Sequence, residues 1–390
     1  MSFWDEELAG LMREARVPGA ACAVIRNGRV DTLAGFGVRS VRGEEPVDAH
    51  TVFEAASLSK PVFALLVLQL VERGALGLDM PLSDHLPGYI AADPRAASIT
   101  IGHVLSHSSG LPNWRTPDYP LRTHFDPGTR FSYSGEGYHY LQKAIEAATG
   151  EDLDALARRL VFGPLGMERS SYVWQPQFRT NRAYPHDEFG TPALGNKPAE
   201  ANAAWSLQTC VADYARFLLA VLLGAGHTRP WLAPRVAVRH HGSQALGTSD
   251  ENVATGVAWG LGWGLETDSG TFFHWGDNGA FKAFTVGFPQ ERAALVVLTN
   301  GASGLSVMPQ IVARLAPGER ASLRWLDYAR HDAPVRRLLR VALAQGAEAA
   351  WAEIAAAALK RDDLIWIARG LNVLGRAKDS AWLRARADPA

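Results

Sequence analysis

Strand-like runs lie at both ends of the first 300 residues, and helical patterns lie between them. Near the start, "GAACAVIRNGRVDTLAGFGV" holds two β-rich runs around Asn27-Gly28, the dipeptide most typical of a tight β-hairpin turn. Later, "GVAWGLGWGLET", "TFFHW", "AFKAFTVGFP" and "RAALVVLTN" are short runs rich in aromatic and β-branched residues. We therefore predict an α+β protein whose single antiparallel sheet combines both ends, flanked by helices, with an all-helical region beside it.

The composition changes near residue 319 of the 390. The remaining segment is rich in Ala, Leu and Arg, has helical spacing and lacks strand patterns. We predict a first domain over residues 1–318 and a helical C-terminal extension of three or four helices over residues 319–390. The extension would either cap the sheet or form the surface of a homo-oligomer, and both roles stay open.

Charge and hydropathy exclude several classes of protein. The net charge is −1 and basic runs are missing, so we expect neither a nucleic-acid partner nor a membrane partner. The longest apolar run, residues 62 to 68, is too short to span a bilayer. The first residues form an amphipathic helix of mixed charge rather than a secretion signal, which favours a cytoplasmic location. Two cysteines, Cys22 and Cys210, predict neither a disulfide framework nor a zinc site.

Ser57 and Lys60 stand three positions apart in "EAASLSKPVF", before an almost wholly apolar run. Residues 61 to 73 are predicted to form a buried helix, and positions i and i+3 of a helix share one face. Burial would lower the pKa of the lysine, so that it could accept a proton from the hydroxyl. The pair is typical of a nucleophile and its base, although a helix cap beside a lysine that reaches to solvent gives the same pattern.

Two later segments also carry candidate residues. Tyr133, in "PGTRFSYSGEGYHY", precedes a predicted helix, where it would act as a general acid or base or simply pack in the core. Residues 274 to 277 read His-Trp-Gly-Asp at the end of a predicted strand. Gly276 would let the backbone approach a ligand closely, and a neighbouring N–H would serve an oxyanion.

In this order the motifs resemble those of the serine β-lactamase and penicillin-binding-protein superfamily, namely Ser-x-x-Lys, Tyr-x-Asn and Lys/His-x-Gly. The similarity is to the class C-like branch, which includes β-lactamase-like carboxylesterases, D-Ala-D-Ala carboxypeptidases and D-aminopeptidases. "ITIGHVLSHSSGLPNW" and "DPGTRFSYSGEGY" are similar to further segments of that branch. The resemblance covers roughly residues 5 to 315 and leaves out the C-terminal extension.

This resemblance implies a β-lactamase/transpeptidase-like fold, with the active site between the sheet and the helical subdomain. It implies that Ser57 is the acylated nucleophile and that Lys60 and Tyr133 move its proton. Which of the two is the base stays open, since coupled groups share their titration. The backbone N–H groups of Ser57 and Asp277 would form the oxyanion hole, and His274 would take the family's lysine or histidine position. We expect no cofactor and no metal.

The sequence departs from the family pattern at positions that concern the substrate. Gly135 replaces the asparagine of Tyr-x-Asn, whose side chain binds the substrate's amide carbonyl and the lysine. Trp275 replaces a threonine or serine that helps to bind a carboxylate, and "HWGDNG" is similar to the Trp-Gly-Gly segment of the esterases. Both changes favour an ester over a β-lactam. Asp277 would either attract a cationic amine or cap a turn.

We therefore predict a serine hydrolase, most simply a carboxylesterase for small or medium acyl esters, with His274, Trp275, Gly276, Asp277 and Gly135 around the substrate. The alternatives are an amidase or D-aminopeptidase, a β-lactamase-type activity, acyl transfer, and a non-catalytic binding relative. The non-catalytic alternative predicts that Ser57 Oγ lies out of hydrogen-bond reach of both Lys60 and Tyr133.

Two other groups of residues allow more than one interpretation. His103 and His107 have a spacing that would place both on one helix face as metal ligands, but a structural role suits them better, because no further ligand cluster is evident. Several tryptophans close to the motifs would line an acyl pocket or pack in the core: Trp114, Trp205, Trp259, Trp263 and Trp275.

Overall fold

The computed structural model describes residues 3–90, 93–224, 230–247 and 252–387. Its main feature is an antiparallel sheet of eight strands in the order β2-β1-β10-β9-β8-β7-β6-β5. The strands are β1 (Gly19–Arg26), β2 (Arg29–Gly37), β5 (Val236–Ala237), β6 (Val257–Trp259), β7 (Gly264–Glu266), β8 (Thr271–Asp277), β9 (Lys282–Phe288) and β10 (Ala293–Thr299). A separate two-stranded sheet pairs β3 (Phe53–Glu54) with β4 (Gln208–Thr209). The predicted α+β class, with a sheet built from both ends of the chain, is confirmed.

The first hairpin follows from its turn residues. Asn27 and Gly28 both have positive φ angles, 51° and 71°, and Arg26 pairs with Arg29 across the turn. This is the conformation that Asn-Gly favours between twisted strands. Sequence reasoning missed β5, which has only two residues, and treated β6 and β7 as one run.

Helices cover both faces of the sheet and fill the middle of the chain. They are α1 (Phe3–Ala15), α2 (Ser59–Glu72), α3 (Ile101–Leu105), α4 (Gly135–Thr149), α5 (Leu153–Ala157), α6 (Gly163–Leu165), α7 (Val211–Leu223), α8 (Met308–Leu315), α9 (Ala321–Leu326), α10 (Pro334–Gln345), α11 (Trp351–Ala356), α12 (Arg361–Val373) and α13 (Ala377–Ala387). Among the described residues, none of these helices is both long and apolar enough to cross a membrane.

The alternation of side chains along the central strands produces two hydrophobic cores. In β1, Ala21 and Ala23 face the core that contains α2 and α7, whereas Cys22 and Val24 face the core that contains α1 and α8. Helix α2 is buried almost all round, because it lies between the sheet and the helical subdomain. This position places its first turn at the junction of the two layers.

A third core lies within the C-terminal segment and includes Phe189 from the middle of the chain. It contains buried residues of α10 to α13, such as Leu338 and Ile367. Helix α9 belongs elsewhere, because Trp325 packs in the sheet core with α1 and α8. The predicted boundary after residue 318 stays a prediction, and in the structure the self-contained helical core begins only with α10.

Candidate active site

Ser57 lies in a 3₁₀ turn, Ala56–Leu58, immediately before α2. It is therefore next to the helix on which Lys60 lies rather than within it. Ala56 has a φ of +51°, a conformation that residues with a Cβ rarely adopt. Strained backbone of this kind persists only where the surrounding structure enforces it. The turn holds Ser57 Oγ 3.0 Å from Lys60 Nζ.

Lys60 is only 1 % exposed, and its Nζ also donates a hydrogen bond to the Ala204 carbonyl at 2.7 Å. Nζ lies 4.7 Å from the centre of the Tyr133 ring and 5.6 Å from that of Tyr138. Burial lowers the pKa of Lys60 well below its usual 10.5, and no carboxylate among the described residues forms an ion pair with it. A neutral amine has a lone pair, so the Ser57 hydroxyl can donate to it.

Tyr133 lies on the other side of Lys60, stacked on His107 at 4.1 Å between ring centres. Burial raises the pKa of Tyr133, while the neighbouring Ser57 hydroxyl lowers it by a smaller amount. The phenol therefore keeps its proton at neutral pH. Its buried hydroxyl lies near the Ser57 hydroxyl but is not in hydrogen-bond geometry with any described residue, which leaves it available to a bound molecule.

His107 and His274 are fully buried behind this group. His274 Nδ1 lies 2.8 Å from the Trp275 carbonyl, and burial, with Lys60 nearby, lowers the pKa of His274 to about 3. His107 Nδ1 accepts a hydrogen bond from the Ser134 N–H at 3.0 Å, and burial lowers its pKa as well. Both imidazoles are therefore neutral. His274 does not line the cavity described below, although the sequence predicted it as a substrate contact.

Strand β8 passes unusually close to the turn that carries Ser57. A Cβ on Gly276 would lie 2.5 Å from the Ala55 carbonyl oxygen, so only glycine allows this approach. The contact brings the end of β8, with the Asp277 backbone, beside Ser57. Gly276 therefore contributes by allowing β8 to approach the turn that carries Ser57, and it is not among the residues that line the cavity.

The indole of Trp114 occupies the space beside Gly135. A Cβ on Gly135 would lie 2.8 Å from the indole and 2.8 Å from the Asn113 carbonyl oxygen. Asn113 Oδ1 also accepts a hydrogen bond from the Gly135 N–H at 2.9 Å. Gly135 therefore touches no cavity surface itself, and Trp114 takes the place that a larger side chain would fill.

Above Ser57 lies an open cavity of about 500 Å³. Aromatic and uncharged polar side chains form most of its lining: Ser57, Asn113, Trp114, Tyr133, Asn196, Trp205, Ser243, Trp275, Asp277, Asn278 and Tyr328. Trp114, Trp205 and Trp275 are thus wall residues, whereas Trp259 and Trp263 are buried in the cores. Sequence reasoning missed the three asparagines, Ser243 and Tyr328, because no local pattern distinguishes them from loop residues.

Asp277 lines the cavity but is already engaged. Its carboxylate accepts hydrogen bonds from the Gly279 N–H at 2.9 Å and from the Tyr328 hydroxyl at 3.0 Å, and it forms an ion pair with Lys282. The bond to Gly279 is the turn cap considered from the sequence. Lys282 offsets the negative charge that would attract a cationic amine.

His103 and His107 do not share a helix face, because α3 ends at Leu105 and His107 has a φ of +55° in the loop that follows. His103 Nδ1 accepts from the Thr100 N–H at 3.3 Å and so closes the N-terminal cap of α3. Both residues have structural partners. Among the described residues, no group of three potential ligands is placed to hold a metal ion.

Comparison with known proteins identifies relatives of this chain. The chain is 31% identical to penicillin-binding protein 4 of Amycolatopsis lactamdurans over 350 residues, which covers 83% of this chain and 91% of that protein. It is 32% identical to the esterase EstB of Burkholderia gladioli over 194 residues, 42% of this chain and 49% of that protein. The octameric penicillin-binding protein homologue from Pyrococcus abyssi has a similar fold, with a TM-score of 0.67, 22% identity, and coverage of 86% of this chain and 80% of that one.

The sequence profile of the family described as Beta-lactamase matches residues 4–315. The match spans the whole sheet, the helical subdomain and the motifs around Ser57, Lys60 and Tyr133. The chain therefore belongs to the β-lactamase family of serine hydrolases.

Proposed function

We propose that this protein is a carboxylesterase for small or medium acyl esters, which works through an acyl-enzyme on Ser57. The observation that carries the proposal is the 3.0 Å contact between Ser57 Oγ and a buried Lys60 Nζ that has no anionic partner among the described residues. A lysine in this environment serves as a base, because desolvation favours its neutral form. The contact is also the one that a non-catalytic relative would lack.

In the proposed reaction, Ser57 Oγ attacks the acyl carbonyl carbon and its proton passes to Lys60 Nζ. The N–H groups of Ser57 and Asp277 stabilise the oxyanion of the tetrahedral intermediate. Collapse of this intermediate breaks the bond to the alcohol oxygen, which takes a proton from Tyr133, and Lys60 returns a proton to Tyr133. Water then attacks the acyl-enzyme by the reverse sequence, releasing the carboxylic acid and regenerating Ser57.

The pKa directions support different roles for the two proton carriers. Burial lowers the pKa of Lys60, which favours its action as a base. Burial raises the pKa of Tyr133, which favours its action as an acid towards the leaving alcohol. This assignment chooses between two roles that the sequence left open.

The wall of the cavity supports an ester rather than a β-lactam as the preferred substrate. Trp114 fills the space at Gly135, so this position offers no side-chain amide to a substrate carbonyl. Trp275 adds an indole where a hydroxyl would help to bind a carboxylate. The similarity to an esterase supports the same choice, whereas the similarity to a penicillin-binding protein keeps amide or β-lactam acylation as the second candidate.

The test is turnover of p-nitrophenyl butyrate and of a chromogenic cephalosporin, measured in parallel with a Ser57→Ala control. We expect ester turnover that Ser57→Ala abolishes, with much slower cephalosporin turnover. Comparable turnover of both would overturn the preference for esters. Absence of turnover together with failure of a fluorophosphonate to label Ser57 would overturn the catalytic proposal itself and favour a binding protein. Excess alcohol in the assay would reveal acyl transfer as a transesterified product.

A further inference from the structure

Glu54 is a buried carboxylate beside the cavity that the proposed reaction does not use. It is 4 % exposed and lies three positions before Ser57. Its Oε1 accepts the Asn196 backbone N–H at 2.6 Å, and its Oε2 accepts from Asn196 Nδ2 and Asn278 Nδ2, both at 3.0 Å. Three N–H donors thus converge on the two oxygens of one carboxylate.

This carboxylate fixes the orientation of both side-chain amides. An ionised carboxylate only accepts hydrogen bonds, so each asparagine must turn its NH₂ group towards Glu54. Asn278 Nδ2 is within 3.4 Å of the Trp205 carbonyl as well, so both of its N–H bonds have acceptors. Both amide oxygens are thereby left for other partners, and both asparagines line the cavity. Within the described part of the chain, no donor contacts either Oδ1.

We propose that Glu54, Asn196 and Asn278 form a wall of hydrogen-bond acceptors that selects substrates carrying a hydrogen-bond donor, either an ammonium or a hydroxyl group. Asn196 and Asn278 contact the substrate, and Glu54 is a positioning residue that acts through them. Asp277 also lines the cavity, but its carboxylate is already engaged by Gly279, Tyr328 and Lys282, so it is not one of these acceptors. Asn196 is exposed and Asn278 is half-buried, so water reaches both amide oxygens in the free protein. A bound substrate that carries only acceptors, such as a carboxylate, would displace that water without donating to the two oxygens, and polar groups left unpaired in this way are costly.

This inference rests on the proposed esterase function and names its substrate class. The matched probes are the p-nitrophenyl esters of 4-methylbenzoic, 4-(hydroxymethyl)benzoic and 4-(aminomethyl)benzoic acid. They share one ring and one leaving group. The methyl ester carries no hydrogen-bond donor, the hydroxymethyl ester carries a neutral donor, and the aminomethyl ester carries a cationic donor. We expect the donor-bearing esters to have KM values about tenfold below that of the methyl ester, as expected for one added hydrogen bond to a site built for it.

The informative variant is Glu54→Gln, which keeps the shape but presents an NH₂ group to the asparagines. At least one amide must then reverse, so that its NH₂ group faces the cavity. We expect the preference for donor-bearing esters to fall about tenfold through KM, with kcat for the methyl ester changed less than about threefold. Glu44→Gln, at an exposed glutamate with no role in the site, is the matched control and should change neither value.

A uniform loss on all three esters would assign Glu54 a purely structural role and overturn the proposal, while Ser57-dependent hydrolysis would survive. If Glu54→Gln does not fold, Asn278→Leu removes one acceptor at a half-buried position and should cause the same loss of preference. Equal KM values for the three esters in the unmodified protein would also overturn the proposed acceptor wall.

A binding measurement tests the acceptor wall even if the protein turns over none of the esters. Quenching of tryptophan fluorescence reports ligands in a cavity lined by Trp114, Trp205 and Trp275. We expect 4-methylbenzylamine or 4-methylbenzyl alcohol to bind at least tenfold more tightly than 4-methylbenzoate, and Glu54→Gln to reduce or reverse that order. Tighter binding of the amine alone would assign the site to ammonium groups. Tighter binding of the benzoate would overturn the acceptor wall.

Discussion

The fully buried group behind Ser57, here called the floor, and the wall of the cavity differ in how their polar groups are paired. On the floor, Lys60, His107 and His274 are buried without an ion pair among the described residues, and burial lowers the pKa of each. On the wall, the Glu54 and Asp277 carboxylates each accept three hydrogen bonds or ion-pair contacts. Burial on the floor therefore favours the neutral form of each base, whereas hydrogen bonds on the wall hold each carboxylate in a fixed orientation.

This difference follows from what each region must do. Removing a cationic group from water without giving it a counter-ion favours its neutral form, which a base needs before it can accept a proton. Paired and hydrogen-bonded charges stay ionised, and they fix the orientation of the groups around them. A change on the floor should therefore affect chemistry, whereas a change on the wall should affect packing and substrate choice.

The largest effect is expected from Lys60→Met, which keeps an unbranched side chain of similar length but removes the base. We expect kcat for p-nitrophenyl butyrate to fall about 10³-fold, the usual size of a general-base contribution. The exposed Lys378→Met is the matched control and should leave kcat unchanged. Retention of most activity in a folded Lys60→Met protein would mean that another group takes the Ser57 proton.

A smaller effect, on stability rather than on kcat, is expected from Gly135→Asn beside the cavity wall. The new side chain collides with the Trp114 indole and the Asn113 carbonyl, so overpacking should lower the free energy of unfolding by about 1–3 kcal/mol. Adding Trp114→Ala should recover part of this loss, because it removes one of the two obstacles. Denaturant unfolding of both variants measures the difference.

Gly77→Asn serves as the control for this experiment, because a Cβ there meets only the Met80 Cβ at 3.9 Å. Equal destabilisation at Gly77 and Gly135 would show that the loss comes from glycine replacement in general. It would also remove the evidence that Trp114 occupies the space of the missing side chain.

The last effect, small for each pH unit, concerns acid stability and the floor. Burial lowers the pKa of His274 from its ordinary 6.5 to about 3, so between these values the unfolded chain binds a proton that the native protein does not. The contribution of His274 to stability should therefore be constant above pH 6.5 and fall as the pH decreases towards 3, by up to about 1.4 kcal/mol per pH unit. His274→Asn should flatten that dependence.

Denaturant midpoints at several pH values between 7 and 4 provide the measurement. The exposed His50→Asn variant is the matched control and should keep the slope of the unmodified protein. An unchanged slope in His274→Asn would mean that His274 is protonated in the native state, and the floor would then contain a charge that the described geometry leaves unpaired.

Much of the fold was predictable because its signals are local. The Asn27-Gly28 turn and the aromatic and β-branched runs specify strands through neighbouring residues, and the ordered motifs predicted a family that the comparison confirms. Strand β5 was not predictable, since two residues carry no periodicity. The shared helix face considered for His103 and His107 does not form, because His107 adopts a left-handed conformation after α3 ends.

The residues of the site likewise divide into those that the sequence predicted and those that it did not. Ser57 and Lys60 were identified because a three-residue spacing at a helix start places two side chains together in any such helix. The Glu54–Asn278 contact joins residues 224 positions apart. Both stand next to motif residues, but the motifs do not indicate that the two side chains meet. Tyr328 lies beyond the matched residues 4–315 yet lines the cavity. Its position there depends on the packing of α9, which it follows directly.

The sequence by itself therefore determined the class of fold, the family and the identity of the candidate nucleophile and its proton carriers, because periodicity and short motifs encode them within a few neighbouring residues. Only the tertiary structure decided the burial that lowers the pKa of Lys60, the space beside Gly135 and the contacts of the amides on the wall. Each of these depends on burial and on contacts between distant segments, which follow from packing and not from local sequence.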